Sequence, residues 1–326
     1  MTTWYNGQPL QDDQLSFNHG LLDRGLQYGD GFFTTILLLD GGLVNWSAHL
    51  KRIQQSAERL KFQDLNLTKL IEDFSCFVES LVDSDEVVPE RMALKILVTR
   101  GFGGKGYQPP EKGQGSTNWI FQAMPYPSVG GVAFEALIES KDTFSFDDEH
   151  PAWQIFPQKL TVSDVCYGQQ PLLAGLKHLN RLENVLARQA LMESSFDEAV
   201  MCSLSGECVS ATQSNLLWIC ENTVYTPELT SCGVSGTTLP VILDLAKSQG
   251  YQVQVDRFHL NVLNQADEIL LCNALRGVMP VTKFINKTLE RQFSTEKTLQ
   301  LAYDWMKWAA ENRTHYQELF TPSKTL

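Results

Sequence analysis

Apolar residues recur along this chain in two rhythms. Between 47 and 60 they fall at helical spacing, with Leu50, Ile53, Ala57 and Leu60 on one stripe and Ser47 placed to cap the start, and a second amphipathic stripe runs over 67–81. The runs 34–46, 91–100 and 119–124 are rich in β-branched or continuous apolar residues and predict strands, as does 4–10. Asp40, Gly41 and Gly42 predict a hairpin turn within the first of these, and the Gly- and Pro-dense stretch 101–118 predicts a loop.

Two prolines and two glycines between apolar runs mark 125–131 as a linker. The expected organisation is a small N-terminal domain over 1–124 and a larger C-terminal domain over 132–326. In the second half the pattern predicts strands at 132–137, 199–204, 215–220, 223–226, 251–255 and 267–272. Helices are predicted at 180–194, 240–248 and 295–312, the last with Leu299, Tyr303, Met306 and Trp308 on its apolar side. The polar stretch 140–171 reads as an insertion or long loop. Mixed α and β in two lobes is the resulting fold class.

Composition then removes several kinds of function. The 326 residues carry 26 Lys plus Arg against 38 Asp plus Glu, a formal charge of −12, and a field of that sign repels phosphate backbones and anionic lipid. Neither nucleic acid nor membrane is an expected partner. The first residues lack a signal peptide's basic and apolar regions and no stretch approaches 18 apolar residues, so a cytoplasmic protein is expected. Seven cysteines without a CxxC pair and six histidines without HExxH give no metal site. No GxSxG elbow is present. The GxGxxG match at 101–106 is followed by Tyr107, Gln108, Pro109 and Pro110, which cannot open the helix a dinucleotide site needs. It predicts a flexible loop on which Arg100, Lys105 and Tyr107 reach an anionic ligand.

Three weaker signals remain. Lys177 follows an apolar run and precedes a helix, with His178 and Arg181 close by; desolvation and neighbouring cations would depress its pKa toward a nucleophilic amine. The same pattern also fits a lysine at a helix start with its head in water. Arg52 shares a helix line with His49 and Ser56, and residues 233–238 (GVSGTT) precede a helix, which fits an anion site or an ordinary cap.

Taken together, four blocks resemble the fold-type IV pyridoxal phosphate enzymes: 23–35 (DRGLQYGDGFFTT), 47–52 (SAHLKR), 99–107 (TRGFGGKGY) and 175–183 (GLKHLNRLE). The blocks 224–236 and 266–275 agree in order and spacing. That family includes D-amino acid and branched-chain aminotransferases and 4-amino-4-deoxychorismate lyase, and the lyase branch is the most similar. The resemblance spans about 4–285, apart from the 140–171 segment. It implies a D-amino acid aminotransferase-like fold, with a small sandwich-like α/β N-terminal domain and a larger C-terminal pseudo-barrel, in a homodimer. It implies pyridoxal 5'-phosphate held covalently by Lys177, which would also shuttle protons. The phosphate would rest on Arg52, Thr237, Thr238 and the Asn273-Ala274 turn. Thr35 would face the substrate, and Arg100, Lys105, Tyr107 and Asn273 would contact its carboxylates.

Three positions depart from the family pattern. Ser210 stands where the family has a Glu paired with the pyridine nitrogen, Lys105 where the loop usually has Arg, and Leu239 where an Arg usually follows the phosphate turn. The implied activity is conversion of 4-amino-4-deoxychorismate to 4-aminobenzoate and pyruvate, a step toward folate. An aminotransferase on the same scaffold, and a catalytically impaired homologue with a binding role, are the alternatives.

Overall fold

The computed structural model describes residues 2–9, 21–83, 90–137 and 153–319. The chain divides into two compact units, one of Met1–Tyr126, Leu176–Asn180 and Ala309–Leu326, the other of Pro127–Gly175 and Arg181–Trp308.

The first unit is a sheet covered by helices. Its elements are β1 (Thr2–Tyr5), β2 (Gln8–Pro9), α1 (Arg24–Tyr28), β3 (Gly31–Leu39), β4 (Gly42–Val44), α2 (Trp46–Arg59), α3 (Leu67–Val82), β5 (Arg91–Thr99) and β6 (Asn118–Pro125). The strands pair antiparallel in the order β4, β3, β5, β6, β1, β2, and Arg313–His315 adds a seventh strand beside β4. Because side chains alternate across a strand, β3 sends Phe32, Ile36 and Leu38 to the helices, joined there by Leu94, Ile96 and Val98 of β5 and Phe121 of β6. The helices answer with Trp46, Leu50 and Ile53 of α2 and Leu70, Phe74, Phe77 and Val78 of α3. Phe74 stacks on Trp46 at 5.4 Å and meets Phe121 edge-on at 5.2 Å.

Both helix starts are set by asparagine. The Asn66 side chain accepts the Lys69 N–H, whereas Asn45 uses a left-handed backbone (φ 55°) and makes no side-chain cap. Ser47, the expected cap, lies inside α2.

The second unit holds β7 (Val132–Ala133), β8 (Gln154–Ile155), β9 (Gln158–Val162), α4 (Leu182–Leu191), β10 (Glu198–Cys202), β11 (Cys208–Ala211), β12 (Asn215–Cys220), β13 (Thr223–Pro227), α5 (Leu239–Ser248), β14 (Gln252–Asp256), β15 (Glu268–Asn273), β16 (Gly277–Ile285), β17 (Glu290–Gln292) and α6 (Glu296–Glu311). Its nine-stranded sheet runs β11, β10, β9, β16, β15, β12, β13, β14, with β17 on β16. The long apolar strands of this sheet are buried on both faces, as Leu216, Leu217, Ile269 to Leu271 and Val281 show.

Four expectations are corrected here. The stretch 140–171 contains β9, an interior strand parallel to β10 and β16; its apolar residues are Leu160 and Val162, of which Leu160 alone is fully buried, too short a signal to predict a strand. Residues 138–152 of that stretch lie outside the described residues. The predicted strand 132–137 is only two residues long and continues as a 3₁₀ turn, Phe134–Ala136. Finally, not everything after 132 clusters with the second unit: Leu176–Asn180 pairs with β3, and the tail from Ala309 follows the strand Arg313–His315 onto β4. On α6 the buried indole is Trp305 rather than Trp308.

Candidate active site

Within β3, strand β4 pairs only with Leu38 and Leu39, which leaves the other end of β3 open on that side. Residues 176–180 fill it. Phe33 N–H donates to the Lys177 carbonyl at 2.9 Å and Leu179 N–H to the Gly31 carbonyl at 3.0 Å, with Phe32 opposite His178. Lys177 is thereby fixed by backbone bonds, and its Nζ lies 4.7 Å from the centre of the Phe33 ring.

Phe33 and Thr35 point to the face of β3 opposite the helices. Thr35 sits in register with Lys95 of β5, and Lys95 with Gln122 of β6. These positions are half-buried, in contrast to the closed core behind them. On the helix side of the same strand, Thr34 is fully buried and pairs with His49 Nδ1 at 2.6 Å, while Arg52 Nη1 donates to the Thr34 hydroxyl at 3.3 Å. Arginine can only donate, so the Thr34 hydroxyl accepts from Arg52, and the direction of its bond to His49 Nδ1 follows the imidazole tautomer. Burial first, then the charges of Arg52 and Lys177, hold His49 well below the usual imidazole value, so it is neutral. Burial brings Arg52 down to about 10, still a cation at neutral pH.

The second unit supplies a separate set of groups. Gly175 N–H donates to the Gly233 carbonyl and Ser235 N–H to the Gly175 carbonyl, both at 3.0 Å, so the 233–236 loop is tied to a residue two positions before Lys177. A Cβ on Gly236 would lie 2.0 Å from Asn215 Oδ1, and Asn215 Nδ2 in turn donates to the Val234 carbonyl at 3.0 Å. This close approach delivers Thr237 and Thr238, both buried, to the start of the ten-residue helix α5; Thr238 is its N-cap residue and makes no side-chain capping bond. Asn215 also pairs with Cys272 across β12 and β15, which brings the Asn273-Ala274 turn to the same end of the sheet.

Ser210 lies in a short proton chain. Asn184 Nδ2 donates to the Tyr167 hydroxyl at 2.7 Å, Tyr167 pairs with Ser210 Oγ at 3.1 Å, and Ser210 donates to the Ala211 carbonyl at 2.8 Å. With the serine hydrogen committed, the Tyr167 hydrogen makes the middle bond. Burial pushes the Tyr167 phenol up, so the chain carries no charge at neutral pH. Glu207, the nearest acid in sequence, faces elsewhere and accepts from Ser203 and Ser205. Glu198 is buried with its carboxyl pushed up by desolvation; it accepts from the Thr212 hydroxyl and from the Thr212 and Gln213 N–H groups, holding the turn between Ser210 and Asn215.

Several expected ligands have other duties. Arg100 donates through Nε to both Asp30 oxygens, at 3.1 and 2.8 Å, and through its other nitrogens to the Lys61 and Leu60 carbonyls, with its plane 4.2 Å from the Phe62 ring. Such a guanidinium clamps Asp30 to the loop that follows α2. The Asn273 side chain closes its own turn, accepting from Leu275 and Arg276 N–H and donating to Ser214. The Gly-rich loop is tethered: Arg24 donates to the carbonyls of Gly106 and Tyr107 at 2.9 and 3.1 Å while pairing with Asp30. A Cβ on Gly101, at φ 71°, would overlap the Ser116 carbonyl. Lys105 and Tyr107 are exposed at its tip, Tyr107 edge-on to Tyr28 at 5.4 Å.

Lys95, Tyr167, Asn184 and Glu198 were not singled out from sequence. Lys95 alone had a signal, a lone cation inside the apolar run RMALKILVTR. Among the described residues no group of His, Cys, Asp and Glu could hold a metal, and no helix is long and apolar enough to cross a membrane.

The donor chemistry fits pyridoxal phosphate. A primary amine is held rigidly at Lys177, and the helix start at Thr238 with a glycine that admits no Cβ is an anion cradle. Known proteins agree. The pattern of the amino-transferase class IV family matches residues 31–284. An aminodeoxychorismate lyase from Vibrio harveyi is 34% identical over 86% of this chain and 90% of its own length. A D-alanine aminotransferase from Staphylococcus epidermidis is 26% identical over 87% of this chain and 89% of its own. The crystal structure of 4-amino-4-deoxychorismate lyase from Pseudomonas aeruginosa superposes with a TM-score of 0.75 at 29% identity, covering 94% of this chain and 98% of that one. The chain belongs to the class IV amino-transferase family, the pyridoxal-phosphate-dependent enzymes of fold-type IV.

Proposed function

We propose that this enzyme is a 4-amino-4-deoxychorismate lyase, releasing 4-aminobenzoate and pyruvate for folate synthesis in the cytoplasm. The observation that favours it over amino-group transfer is the uncharged Asn184–Tyr167–Ser210 chain at the position where the family pattern has a Glu. Pyridoxal phosphate, when bound, supplies an electron sink for the amine-bearing carbon of the substrate. Transamination needs a strong sink, because the carbanion must survive until it is reprotonated elsewhere. Elimination relies on it less, since the electron pair leaves at once with the departing group.

In this reading Lys177 carries the cofactor, and Arg52, Thr237, Thr238 and the Asn273-Ala274 turn are the groups assigned to its phosphate. The amine of Lys177 takes the proton from the amine-bearing carbon. The carbon–oxygen bond to the enolpyruvyl group breaks, that group collects a proton to leave as pyruvate, and the ring becomes aromatic; no water is consumed. The neutral His49, through Thr34, holds Arg52 as a donor, and Thr35 lines the substrate's side of β3. Lys105 and Tyr107 contact carboxylate in a second protomer. The exposed Leu182, Val185 and Leu186 of α4, and Leu172 before it, form an apolar surface suited to such a homodimer.

Two assays on the purified holoenzyme separate the readings. Formation of 4-aminobenzoate and pyruvate from aminodeoxychorismate, with negligible transfer of an amino group from D-alanine or a branched-chain amino acid to a keto acid, is expected. Efficient transfer without 4-aminobenzoate would make it an aminotransferase, and inactivity in both with cofactor bound would favour a binding role. Installing the acid, Ser210→Glu, is expected to raise side transamination more than lyase turnover.

A further inference from the structure

We propose that Cys202 and Cys208 form a reversible oxidation site, at which a hydroperoxide joins the two sulfurs as a disulfide and so displaces the neighbouring Ser210. The proposal concerns the second unit alone and does not depend on which reaction the enzyme catalyses.

Strands β10 and β11 make an antiparallel hairpin in which Cys202 stands opposite Cys208. The backbone bond beside them runs from Ser203 N–H to the Glu207 carbonyl at 2.8 Å, while Cys208 N–H donates to the Phe258 carbonyl at 2.7 Å and the Cys202 carbonyl accepts from Tyr167 N–H at 2.8 Å. This is the pattern of a non-hydrogen-bonded pair, in which the Cα atoms lie about 4.5 Å apart. Disulfides span about 4.4–6.8 Å between Cα atoms, so the pair is within reach of closure. The thiols are already in contact, Cys208 donating to the Cys202 sulfur. Among the described residues no other cysteine faces a cysteine across a sheet: Cys220 is opposite Thr223, and Cys272 is opposite Asn215 and Val278.

The contact assigns a role to each sulfur. The hydrogen bond from Cys208 holds the Cys202 thiol below its ordinary value against the opposing effect of burial, and pushes the Cys208 thiol up, with burial adding to the rise. Cys202 is the nucleophile and Cys208 the resolving thiol. When the Cys202 thiolate attacks hydrogen peroxide, a sulfur–oxygen bond forms, the oxygen–oxygen bond breaks, and the departing hydroxide takes up the proton that Cys202 gave up. The Cys208 sulfur then attacks the sulfenic sulfur; the sulfur–sulfur bond forms, the sulfur–oxygen bond breaks, and hydroxide leaves as water with the Cys208 proton. Two electrons pass from the sulfurs to the peroxide, and a dithiol reverses the change by exchange. Exposure selects the oxidant: Cys202 is 7% exposed and Cys208 3%, which admits a molecule the size of hydrogen peroxide and excludes a peptide disulfide.

The new bond acts on both ends of the hydroxyl pair beside it. Ser210 is two residues beyond Cys208 on β11, across the irregularity where the register passes over Val209, and the backbone of Tyr167 is tied to the Cys202 carbonyl. Drawing Cys202 and Cys208 together therefore shifts the Tyr167 hydroxyl against Ser210 Oγ, the 3.1 Å contact of the uncharged chain.

The test treats the purified holoenzyme with hydrogen peroxide, unfolds it, alkylates the remaining thiols and cuts the chain with a glutamate-specific protease, because Glu207 lies between the two cysteines. The peptides of Cys202 and Cys208 are expected to be joined, at close to one disulfide per chain, and to be parted by dithiothreitol. Cys208→Ser should leave on Cys202 a sulfenic acid that dimedone traps, and Cys202→Ser should leave Cys208 unoxidised. The visible band of the bound cofactor should shift on oxidation, return with dithiothreitol and stay in place in Cys202→Ser. Recovery of both cysteines as alkylated thiols, or of either joined to another cysteine, overturns the oxidation site, and a band that does not respond to the disulfide overturns its action on Ser210. The joined peptides and the band are both read on the unaltered protein, so the decision does not hinge on whether either variant folds.

Discussion

The two faces of the first sheet are made by the same three strands and could hardly differ more. Toward the helices, Phe32, Ile36, Leu94, Ile96, Val98 and Phe121 are fully buried, and the polar exception, Thr34, is satisfied by His49 and Arg52. Toward the other side, Phe33, Thr35, Lys95 and Gln122 are half-buried, with two ammonium groups over one aromatic ring. Adjacent threonines, 34 and 35, go to opposite faces and so to opposite roles. What separates structure from chemistry here is a single step of strand alternation, and a slip of one residue would exchange the two.

The largest expected effect comes from emptying the chemical face. Lys177→Ala should lower lyase turnover by about a thousandfold or more and abolish the visible band that borohydride removes, yet change the urea unfolding free energy of the cofactor-free protein by only about 0.5 kcal/mol. A turnover near that of the unaltered enzyme would erase the distinction between the faces. On the core face the opposite pattern is expected: Phe74→Ala should cost about 3–5 kcal/mol in urea unfolding, with turnover per folded molecule unchanged.

Arg100 sharpens the comparison because sequence places it with the chemistry and structure places it with the scaffold. Arg100→Gln is expected to lose about 2 kcal/mol of stability, by removing one of the two guanidinium partners of Asp30 and freeing two loop carbonyls, with KM unaltered. A raised KM at unchanged stability would return Arg100 to the substrate.

The smallest effect is a pH slope. A neutral, buried His49 has a folded pKa below its unfolded value near 6.5, so the unfolded chain binds more protons as acid is added. Its contribution is therefore complete above about pH 6.5 and is lost as pH falls toward the depressed folded value, by up to about 1.4 kcal/mol per pH unit. Glu198, with a raised pKa, pulls the other way above its unfolded value near 4.5. The difference in stability between the unaltered protein and His49→Gln, measured from pH 7 to 5.5, isolates the histidine and should shrink with acid.

Much of this architecture could be read from periodicity. The helices of the first unit and strands β3, β5 and β6 each carry several apolar residues in phase, and their ends moved by only a residue or two, apart from the start of β3, which lies three residues before the expected 34. Strand β9 could not be read, because its burial comes from neighbours distant in sequence and only Leu160 is both apolar and fully buried within it. Lys177 and Arg52 stand out in the sequence through local blocks that carry the family's pattern. Lys95, Tyr167 and Asn184 were not, because their meaning lies in partners 62, 43 and 17 or more positions away: Lys95 with Phe33, Tyr167 with Ser210, Asn184 with Tyr167. The clamp made by Arg100 could not be read for the same reason, since Asp30 and the Leu60 carbonyl lie 70 and 40 positions off.

The central claim is that one particular lysine on the half-buried face carries the cofactor. Reducing the holoenzyme with borohydride, digesting it and locating the phosphopyridoxyl group by mass spectrometry tests this directly. The group is expected on Lys177 alone, at close to one per chain; its recovery on Lys95, which shares the Phe33 ring, or its absence from both lysines, would contradict the account.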